Sequence, residues 1–372
     1  MIVLLFAIGL IYTLYAIWLL HMIVQWQRAD DVPLPFNDAQ HLTIIIPFRD
    51  EAENLPALLS TLAKQMNEGA GVNIILVDDH SSDNSLSIAE KFSNENDSVI
   101  VIRQNETQGK KQGVDLALNH AQTEWIITLD ADIKPCSGWL KRIASWTKNN
   151  TNDLLILPLH IGPGKNLIGH LQEVEFASVM AITGGMALAG KPILCNGGNL
   201  CFRKEAYDRV RESRTDMHIT SGDDVFLLNA LKPFGKVVWV HDPHVRVSTS
   251  PKQSWRSFAA QRLRWMGKAS FIRDKWLQTT AWLAFLANGI FLTTGIATIL
   301  GYFSFVPFLT IAITKILLDG WLILRVGKWL CIKQLKRFYI VLIFIYPVYA
   351  TLFPLMSQFV KPSWKGRTTN NR

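Results

Sequence analysis

Three acidic clusters stand where apolar runs of the chain end. Leu42–Pro47 runs out into Phe48-Arg49-Asp50-Glu51, Val72–Val77 into Asp78-Asp79-His80-Ser81-Ser82-Asp83, and Glu124–Leu129 into Asp130-Ala131-Asp132. In open α/β sheets ligands bind outside the carboxyl ends of the strands, so these acids are expected on one rim. Asp130 and Asp132 differ by two, and in extended backbone they point the same way. Two such carboxylates can hold a hard divalent cation whose shell is completed by substrate phosphates. The plainer alternative is a pair of helix N-caps, which accounts for a lone Asp-x-Asp better than for three coincident acidic strand ends. The run from Asp78 to Asp83 can also be an ordinary N-cap. A cap explains one residue, whereas two consecutive acids are placed to accept hydrogen bonds from a nucleobase or ribose. Ser221-Gly222-Asp223-Asp224 is either another cap or the source of a general base. Gln261-Arg262-Leu263-Arg264-Trp265 lies on an amphipathic helix. It reads as a membrane-surface element, yet its arginines can clamp a diphosphate bidentately and its tryptophan can stack on a sugar face.

The elements that must position these groups alternate. Strands are expected at Leu42–Pro47, Val72–Val77, Ser98–Arg103 and Glu124–Leu129. Helices are expected at Glu53–Met66, Ser82–Phe92 (capped by Ser81 or Ser82) and Lys110–Ala121. In the first helix Leu55, Leu58, Leu59 and Leu62 fall on one side. Strands separated by helices of this length imply a mainly parallel sheet with helices on both faces, and near-continuous apolar strands agree, being buried on both sides. Beyond residue 130 the order is less regular. Helices are expected at Ser137–Thr147, Leu167–Thr183, just after Asp223, and at Gln253–Arg273. Strands are expected at Leu154–Leu159, Asn199–Arg203 and Val237–Val240.

The apolar residues make up 49% of 372, and their placement matters more than their share. Met1–Val24 is nearly unbroken apolar sequence, and comparable stretches return only at Trp282–Leu300, Tyr302–Leu324 and Phe338–Ser357. About 20 apolar residues span a hydrocarbon core. The first segment lacks a basic n-region and a small-residue cleavage site, so it reads as an uncleaved membrane helix rather than a signal peptide. The loop carrying Arg325, Lys328, Lys333, Lys336 and Arg337 belongs in the cytoplasm by the positive-inside rule. That puts residues 28–280 in the cytoplasm and the tail from Lys361 outside, although the basic residues of that tail pull the other way. Lys315 and Asp319, four apart in the third span, are either an intrahelical ion pair or the lining of a cavity. The net charge of +8 is explained by anionic headgroups; no nucleic-acid motif accompanies it. Cys136, Cys195, Cys201 and Cys331 show no Cys-x-x-Cys spacing and are expected as free thiols.

Taken together, the Asp78-Asp79 segment, Asp130-Ala131-Asp132, Asp223-Asp224 and Gln261-Arg262-Leu263-Arg264-Trp265, in that order, resemble the marks of the membrane-bound family 2 glycosyltransferases. That branch includes cellulose, chitin and hyaluronan synthases and ceramide glucosyltransferase. Pro47 to Glu51, Asn105 to Lys110 and Gly197-Gly198-Asn199 followed by Phe202-Arg203 support the likeness, which covers about residues 40–270. The resemblance implies a GT-A fold, α/β and Rossmann-like, plus transmembrane helices. It implies an N-terminal membrane helix at 1–27, a cytoplasmic catalytic domain at 28–252, an interfacial helix at 253–280, three membrane helices at 281–360 and a tail at 361–372.

By the same resemblance, Pro47, Phe48, Asp50 and Glu51 would line the donor pocket. Asp79, supported by Asp78, would bind the base, and Lys110 would meet the nucleotide or its phosphates. Asp130 would lie near ribose and metal, and Asp132 would bind Mg²⁺ or Mn²⁺. Asp224 would be the catalytic base, with Asp223 where Glu is more usual. Gln261, Arg264 and Trp265 would close over diphosphate and acceptor, and Gly198, Asn199 and Trp265 would meet the acceptor. The implied activity is inverting transfer of a sugar from a nucleotide-sugar donor, a UDP-sugar by preference, to a lipid or lipid-linked glycan at the plasma or inner membrane. A processive polysaccharide synthase and an inactive membrane scaffold are the alternatives. A dinucleotide-dependent oxidoreductase would need a Gly-rich turn after the first strand. Here that turn reads Pro-Phe-Arg-Asp-Glu, and Gly162-Pro163-Gly164-Lys165 comes too late with the wrong spacing.

Overall fold

The structure, a computed structural model, describes residues 2–29, 42–68, 71–105, 107–148, 151–214, 216, 222–267 and 272–359, with the backbone of 363–364 and 367–368. Of residues 29–41, whose composition reads as a linker, all but Ala29 lie outside the described residues, as do Ser221 and the basic side chains of the tail. In chain order the elements begin with α1 (Ile2–Arg28), β1 (Leu42–Phe48), α2 (Leu55–Asn67), β2 (Asn73–Asp78), α3 (Ser85–Asn94), β3 (Val99–Arg103), α4 (Lys110–Leu118) and β4 (Trp125–Leu129). Next come β5 (Ile133–Pro135), α5 (Trp139–Thr147), β6 (Leu154–Ile156), β7 (Leu159–Ile161), α6 (Leu167–Leu188), β8 (Asn199–Arg203), α7 (Lys204–Arg211) and α8 (Asp223–Leu231). The last are β9 (Val237–Trp239), β10 (Val247–Thr249), α9 (Trp255–Met266), α10 (Lys275–Ile299), α11 (Phe305–Trp329) and α12 (Leu335–Met356). These fall into two compact units, one of Asp30–His160 with Leu194–Ser250, the other of Met1–Ala29, Ile161–Ile193 and Pro251–Arg372.

The first unit is built on a seven-stranded sheet of order β3-β2-β1-β4-β8-β6-β9. Every residue of β1 and β4 is buried, as strands covered on both faces must be. The buried residues of α2 include Leu55, Leu58, Leu59 and Leu62, the stripe its periodicity predicts. The sheet is mixed where an all-parallel pattern would be simplest: β1 to β4 pair in parallel, but β8 runs antiparallel to both β4 and β6.

Three local expectations are corrected. Leu154–Leu159 is not one strand; it divides into β6 and β7, which belong to different sheets. Pro158, between them, has no N–H for a ladder. Ser81 and Ser82 do not cap α3, whose N-cap is Asn84; both serines instead bond Asp50 of the neighbouring loop. Finally, β5, β10 and β7 form a small second sheet that runs of three residues do not announce.

The second unit consists of α1, α6 and α9–α12. Four of its helices, α1, α10, α11 and α12, are long and apolar enough to cross a membrane. In lipid, helix association depends on packing and interhelical hydrogen bonds rather than on hydrophobic burial, and those bonds are present. Tyr12 Oη donates to the Ala287 carbonyl at 2.7 Å, Trp26 Nε1 to the Ala181 carbonyl at 2.8 Å and Tyr339 Oη to the Ile316 carbonyl at 2.7 Å. Lys315 and Asp319 form the intrahelical pair at 2.6 Å and also line a cavity. The helix expected over Gln253–Arg273 is shorter: α9 begins at a capping box between Ser254 and Ser257 and ends at Met266, and residues 268–271 lie outside the described residues.

Candidate active site

The topology gathers the acids. Phe48 pairs with Asp78 across the parallel β1–β2 ladder, so the loops after β1 and β2 leave the sheet side by side. They are stitched together: Asp50 Oδ1 accepts from Ser82 N at 2.7 Å and Ser82 Oγ at 3.0 Å, while Asp50 N donates to Ser81 Oγ. Those bonds from Ser82 hold the Asp50 carboxyl below the usual carboxylate range, because hydrogen bonds to the charged form favour it. Asp50 itself takes a left-handed backbone, φ 48°, a conformation that Asp tolerates better than most residues.

Asp78 and Asp79 are both buried. Asp78 Oδ1 accepts from Ser81 N at 3.1 Å, and Asp79 Oδ1 accepts from Gly109 N at 3.0 Å. Asp79 thereby pins the start of α4, and α4 begins with Lys110. The Lys110 ammonium lies 2.7 Å from Asp130 Oδ1, 3.1 Å from Asp223 Oδ2 and 3.0 Å from the Gly197 carbonyl. Burial works against its charge, but Asp130 and then Asp223 outweigh that and hold the lysine above its ordinary range.

The antiparallel strand β8 supplies the other side of this cluster. Leu129 pairs with Asn199, so the amino end of β8 meets the carboxyl end of β4. The preceding glycines allow close approach. A Cβ on Gly198 would stand 2.7 Å from Asp130 Oδ2, and one on Gly197 would stand 2.8 Å from Asp223 Oδ2 and 3.0 Å from Lys110 Nζ. Gly197 N donates to Asp224 Oδ2 at 2.9 Å, and Val225 N to Asp224 Oδ1 at 2.8 Å. Asn199 lies beneath, fully buried, with Nδ2 bonded to the carbonyls of Pro158 and Val245. It therefore holds the loop rather than facing outward.

Of the residues expected at the rim, Lys110, Asp130, Gly198, Asp223 and Asp224 are thus brought together. Pro47 and Phe48 are the last residues of β1, and Glu51 is tied by its backbone N–H to Ser85 Oγ at 2.7 Å. Asp130-Ala131-Asp132 is not extended: residues 131 and 132 form a turn closed by Ile133 N to the Asp130 carbonyl. The two side chains are therefore not aligned by strand periodicity. Asp132 Oδ2 accepts from Thr249 Oγ1 at 3.2 Å.

A Mg²⁺ or Mn²⁺ ion suits this donor set. Such ions take one or two carboxylates and leave the rest of the shell to water and phosphate oxygens, and the missing side chain of Gly198 leaves space beside Asp130 Oδ2. Among the described residues no three His, Cys, Asp or Glu side chains form an all-protein cage.

Gln261, Arg264 and Trp265 lie on α9, in the unit that carries the membrane helices. There Arg262, which sequence reasoning passed over, is the buried member. Its Nε donates to Glu175 Oε1 at 3.2 Å and its Nη2 to Glu175 Oε2, while Tyr349 Oη donates to Glu175 Oε1 at 3.0 Å. Arg262 also donates to Gln261 Oε1 at 2.6 Å and stacks over the Trp265 ring at 4.3 Å. One signal could have found this network: Glu175 is a charged residue within the long, mainly apolar helix α6. A second buried cluster sets Lys111 and Arg214 on Asp216, in the unit that carries the sheet. Burial tends to raise the Asp216 carboxyl, yet the hydrogen bonds from Arg214 and Lys111 bring it below its usual range.

An open sheet whose parallel strands and one reversed strand deliver acids and a glycine loop to a single rim is the GT-A arrangement. The fold is shared with the mannosyltransferase PcManGT from Pyrobaculum calidifontis in complex with GDP-Man and Mn²⁺. The TM-score is 0.59, with 15% identity over 91% of this chain and 97% of that one. The family model for glycosyl transferase family 2 matches residues 43–211, so this stretch of the chain carries a domain similar to that family's. The chain is 36% identical over 101 residues to an undecaprenyl-phosphate 4-deoxy-4-formamido-L-arabinose transferase of Proteus mirabilis, covering 27% of this chain and 31% of that protein. It is 28% identical over 122 residues to glycosyltransferase AglE of Haloferax volcanii, covering 33% and 38%. The chain thus spans about a third of the length of these curated relatives.

Proposed function

We propose that the protein is a membrane-bound inverting glycosyltransferase that moves a sugar from a nucleoside-diphosphate-sugar donor to a lipid acceptor, with the sheet-bearing unit as its catalytic domain on the cytoplasmic side. The observation that carries the reading is the convergence of Asp130, Asp223 and Asp224 on Lys110 and the Gly197-Gly198 loop. The relatives favour a lipid phosphate as acceptor, since the Proteus protein is named for undecaprenyl phosphate. The nucleotide is a UDP-type base by resemblance, while the solved neighbour carries GDP-Man.

Asp79 and Asp78 set the base pocket together with Pro47, Phe48, Asp50 and Glu51. Lys110 faces the diphosphate, and Asp130 and Asp132 hold Mg²⁺ or Mn²⁺. A bound metal neutralises charge that builds on the departing diphosphate. Asp224 is the base. Each of its oxygens accepts one backbone N–H, which fixes the carboxylate and leaves lone pairs for the acceptor proton. Asp224 takes that proton as the acceptor oxygen attacks the anomeric carbon from the face opposite the diphosphate. A single displacement of this kind inverts the configuration. By resemblance Gln261, Arg264 and Trp265 would meet diphosphate and acceptor, and Gly198, on the loop that Asn199 holds, would shape the acceptor side.

The deciding experiment uses purified protein in lipid nanodiscs, with UDP-glucose, UDP-N-acetylglucosamine, UDP-galactose and GDP-mannose, with and without EDTA. Metal-dependent release of nucleoside diphosphate, lost in Asp224→Asn, is expected. Labelled sugar recovered in the lipid extract fits the proposed acceptor, and label in polymer would replace it with a polysaccharide synthase. No release from any donor with total lipid extract supplied would overturn the transferase reading in favour of a scaffold.

A further inference from the structure

The Lys110 ammonium stands where three oxygens from three separate segments meet. Asp130 Oδ1, just past the end of β4, lies at 2.7 Å, Asp223 Oδ2, at the start of α8, at 3.1 Å, and the Gly197 carbonyl, on the loop before β8, at 3.0 Å. An ammonium has three donors and no acceptor, so each of these oxygens has one N–H to face it. The surroundings are shaped for this group. A Cβ on Gly197 would stand 3.0 Å from Lys110 Nζ and 2.8 Å from Asp223 Oδ2, and without it the loop carbonyl can close on the ammonium. The lysine is fixed from behind as well, because Asp79 Oδ1 accepts from the N–H of the preceding residue, Gly109. Its side chain is 21% exposed, and partly buried pairs of this kind are only weakly screened by salt.

Lys110 therefore has its donors committed before any ligand arrives, and it is committed to the acids that a divalent cation would use. Asp130 gives Oδ1 to Lys110, and only its Oδ2 faces the space beside Gly198. An ammonium and a divalent ion on one carboxylate repel each other at this range, and a carboxylate already serving an ammonium has less charge to offer a second cation. A diphosphate changes both terms. Its oxygens complete the shell of a Mg²⁺ or Mn²⁺ ion, and its negative charge is a partner that the lysine can accept in exchange for Asp130.

We propose that Lys110 is the resident counter-cation of the donor-free site and makes metal binding conditional on the donor. Without nucleotide, Lys110 holds the Asp130 and Asp223 carboxylates together and keeps the affinity for a divalent ion low. When a diphosphate is present, the ammonium turns to the phosphate oxygens and relaxes its hold on Asp130. Ion and nucleotide then bind as one event. The inference rests on the transferase reading above and adds to it the order in which the site fills.

The test reads metal binding rather than turnover. Full-length protein in phosphatidylcholine nanodiscs is titrated with Mn²⁺ in about 0.5 M NaCl, with and without UDP or GDP, and the free ion is measured by its electron paramagnetic resonance signal against protein-free nanodiscs. At that ionic strength charges that act through solvent beyond about 4 Å are screened, so a general gain from deleting one positive charge is suppressed while competition by contact is kept. Without nucleotide, Lys110→Met and Lys110→Gln should each bind Mn²⁺ roughly ten- to hundredfold more tightly than the wild type, the range set by one charged hydrogen-bonded contact. The enhancement of Mn²⁺ binding by nucleotide should shrink in both variants by at least that factor. Two neutral replacements keep the test alive should one fail to fold. Nucleotide-free binding that is unchanged or weaker in the folded variants, with the wild type still binding Mn²⁺ when nucleotide is added, would overturn this inference and leave the transferase reading standing. No Mn²⁺ binding by any form of the protein, with or without nucleotide, would overturn both.

Discussion

Glu175 on α6 and Arg262 on α9 form a two-pronged ion pair, Nε to Oε1 at 3.2 Å and Nη2 to Oε2, with both side chains under 5% exposed. Burial opposes the guanidinium charge, but Glu175 outweighs it and raises Arg262 above its usual range. The pair sits beside Gln261 and Trp265 and so sets the direction of the helix that carries them. Breaking a buried pair from one side costs about 3–5 kcal/mol, while removing both partners can be nearly neutral. Arg262→Met should therefore lower the thermal unfolding midpoint strongly, and Arg262→Met with Glu175→Gln should recover part of the loss. A double variant as unstable as the sum of the singles would show that the two charges do not depend on each other.

Asp224→Asn keeps the size of the side chain and one of its acceptor oxygens, but it removes the base. Turnover should fall by about 10²–10⁴-fold, with little change in the donor concentration for half-maximal rate. Steady-state kinetics on the preferred donor checks this. A large rise in that concentration with turnover preserved would assign Asp224 to donor binding instead.

Gly198→Ala places a methyl 2.7 Å from Asp130 Oδ2. The Asp130 carboxylate must move, so the Mn²⁺ or Mg²⁺ concentration needed for half-maximal donor binding should rise about tenfold or more. The unfolding midpoint should change little, because the loop lies at the rim of the sheet. Calorimetric titration of donor at several metal concentrations separates the two effects.

His160 is pushed down to about 4 from 6.5, first by burial and second by the neighbouring Arg246. Its neutral ring donates from Nδ1 to the Val247 carbonyl at 3.0 Å. The unfolded chain takes up a proton near pH 6.5 and the folded chain near pH 4. Stability is thus fully present above pH 6.5 and declines as pH falls toward 4, by about 3 kcal/mol at most. Unfolding midpoints measured from pH 7 to 4.5 should show this decline, and His160→Gln should flatten it.

The parallel half of the catalytic unit was legible in the sequence because strands buried on both faces read as apolar runs, and the acids that follow them mark their carboxyl ends. Asp78, Asp79 and Asp130 could be placed on one rim by that logic alone. The turn at Asp130-Ala131-Asp132 was not legible, since nothing in the local pattern distinguishes a strand that continues from one that stops at Leu129. Nor was the direction of β8: a strand with Leu200, Cys201 and Phe202 at its centre reads the same in either sense, and only its pairing with β4 shows that Gly197 and Gly198 enter from the opposite end. Arg262 was hidden for a different reason. Its partner Glu175 is 87 residues away, and an arginine on an amphipathic helix looks like any other surface charge until that partner is known.

Tyr15 and Asp319 are separated by 304 positions in the chain, which orders events on the ribosome. At about 5–20 residues per second, roughly 15–60 s pass between synthesis of the two residues. During that interval α1 is in the bilayer with its tyrosines unsatisfied, while the whole sheet of the catalytic unit has time to emerge and fold. The membrane bundle is consequently the last part of the protein to be finished. A nascent chain stalled before α10 would carry the folded sheet and its gathered acids beside α1 as the one long apolar helix of the four yet made.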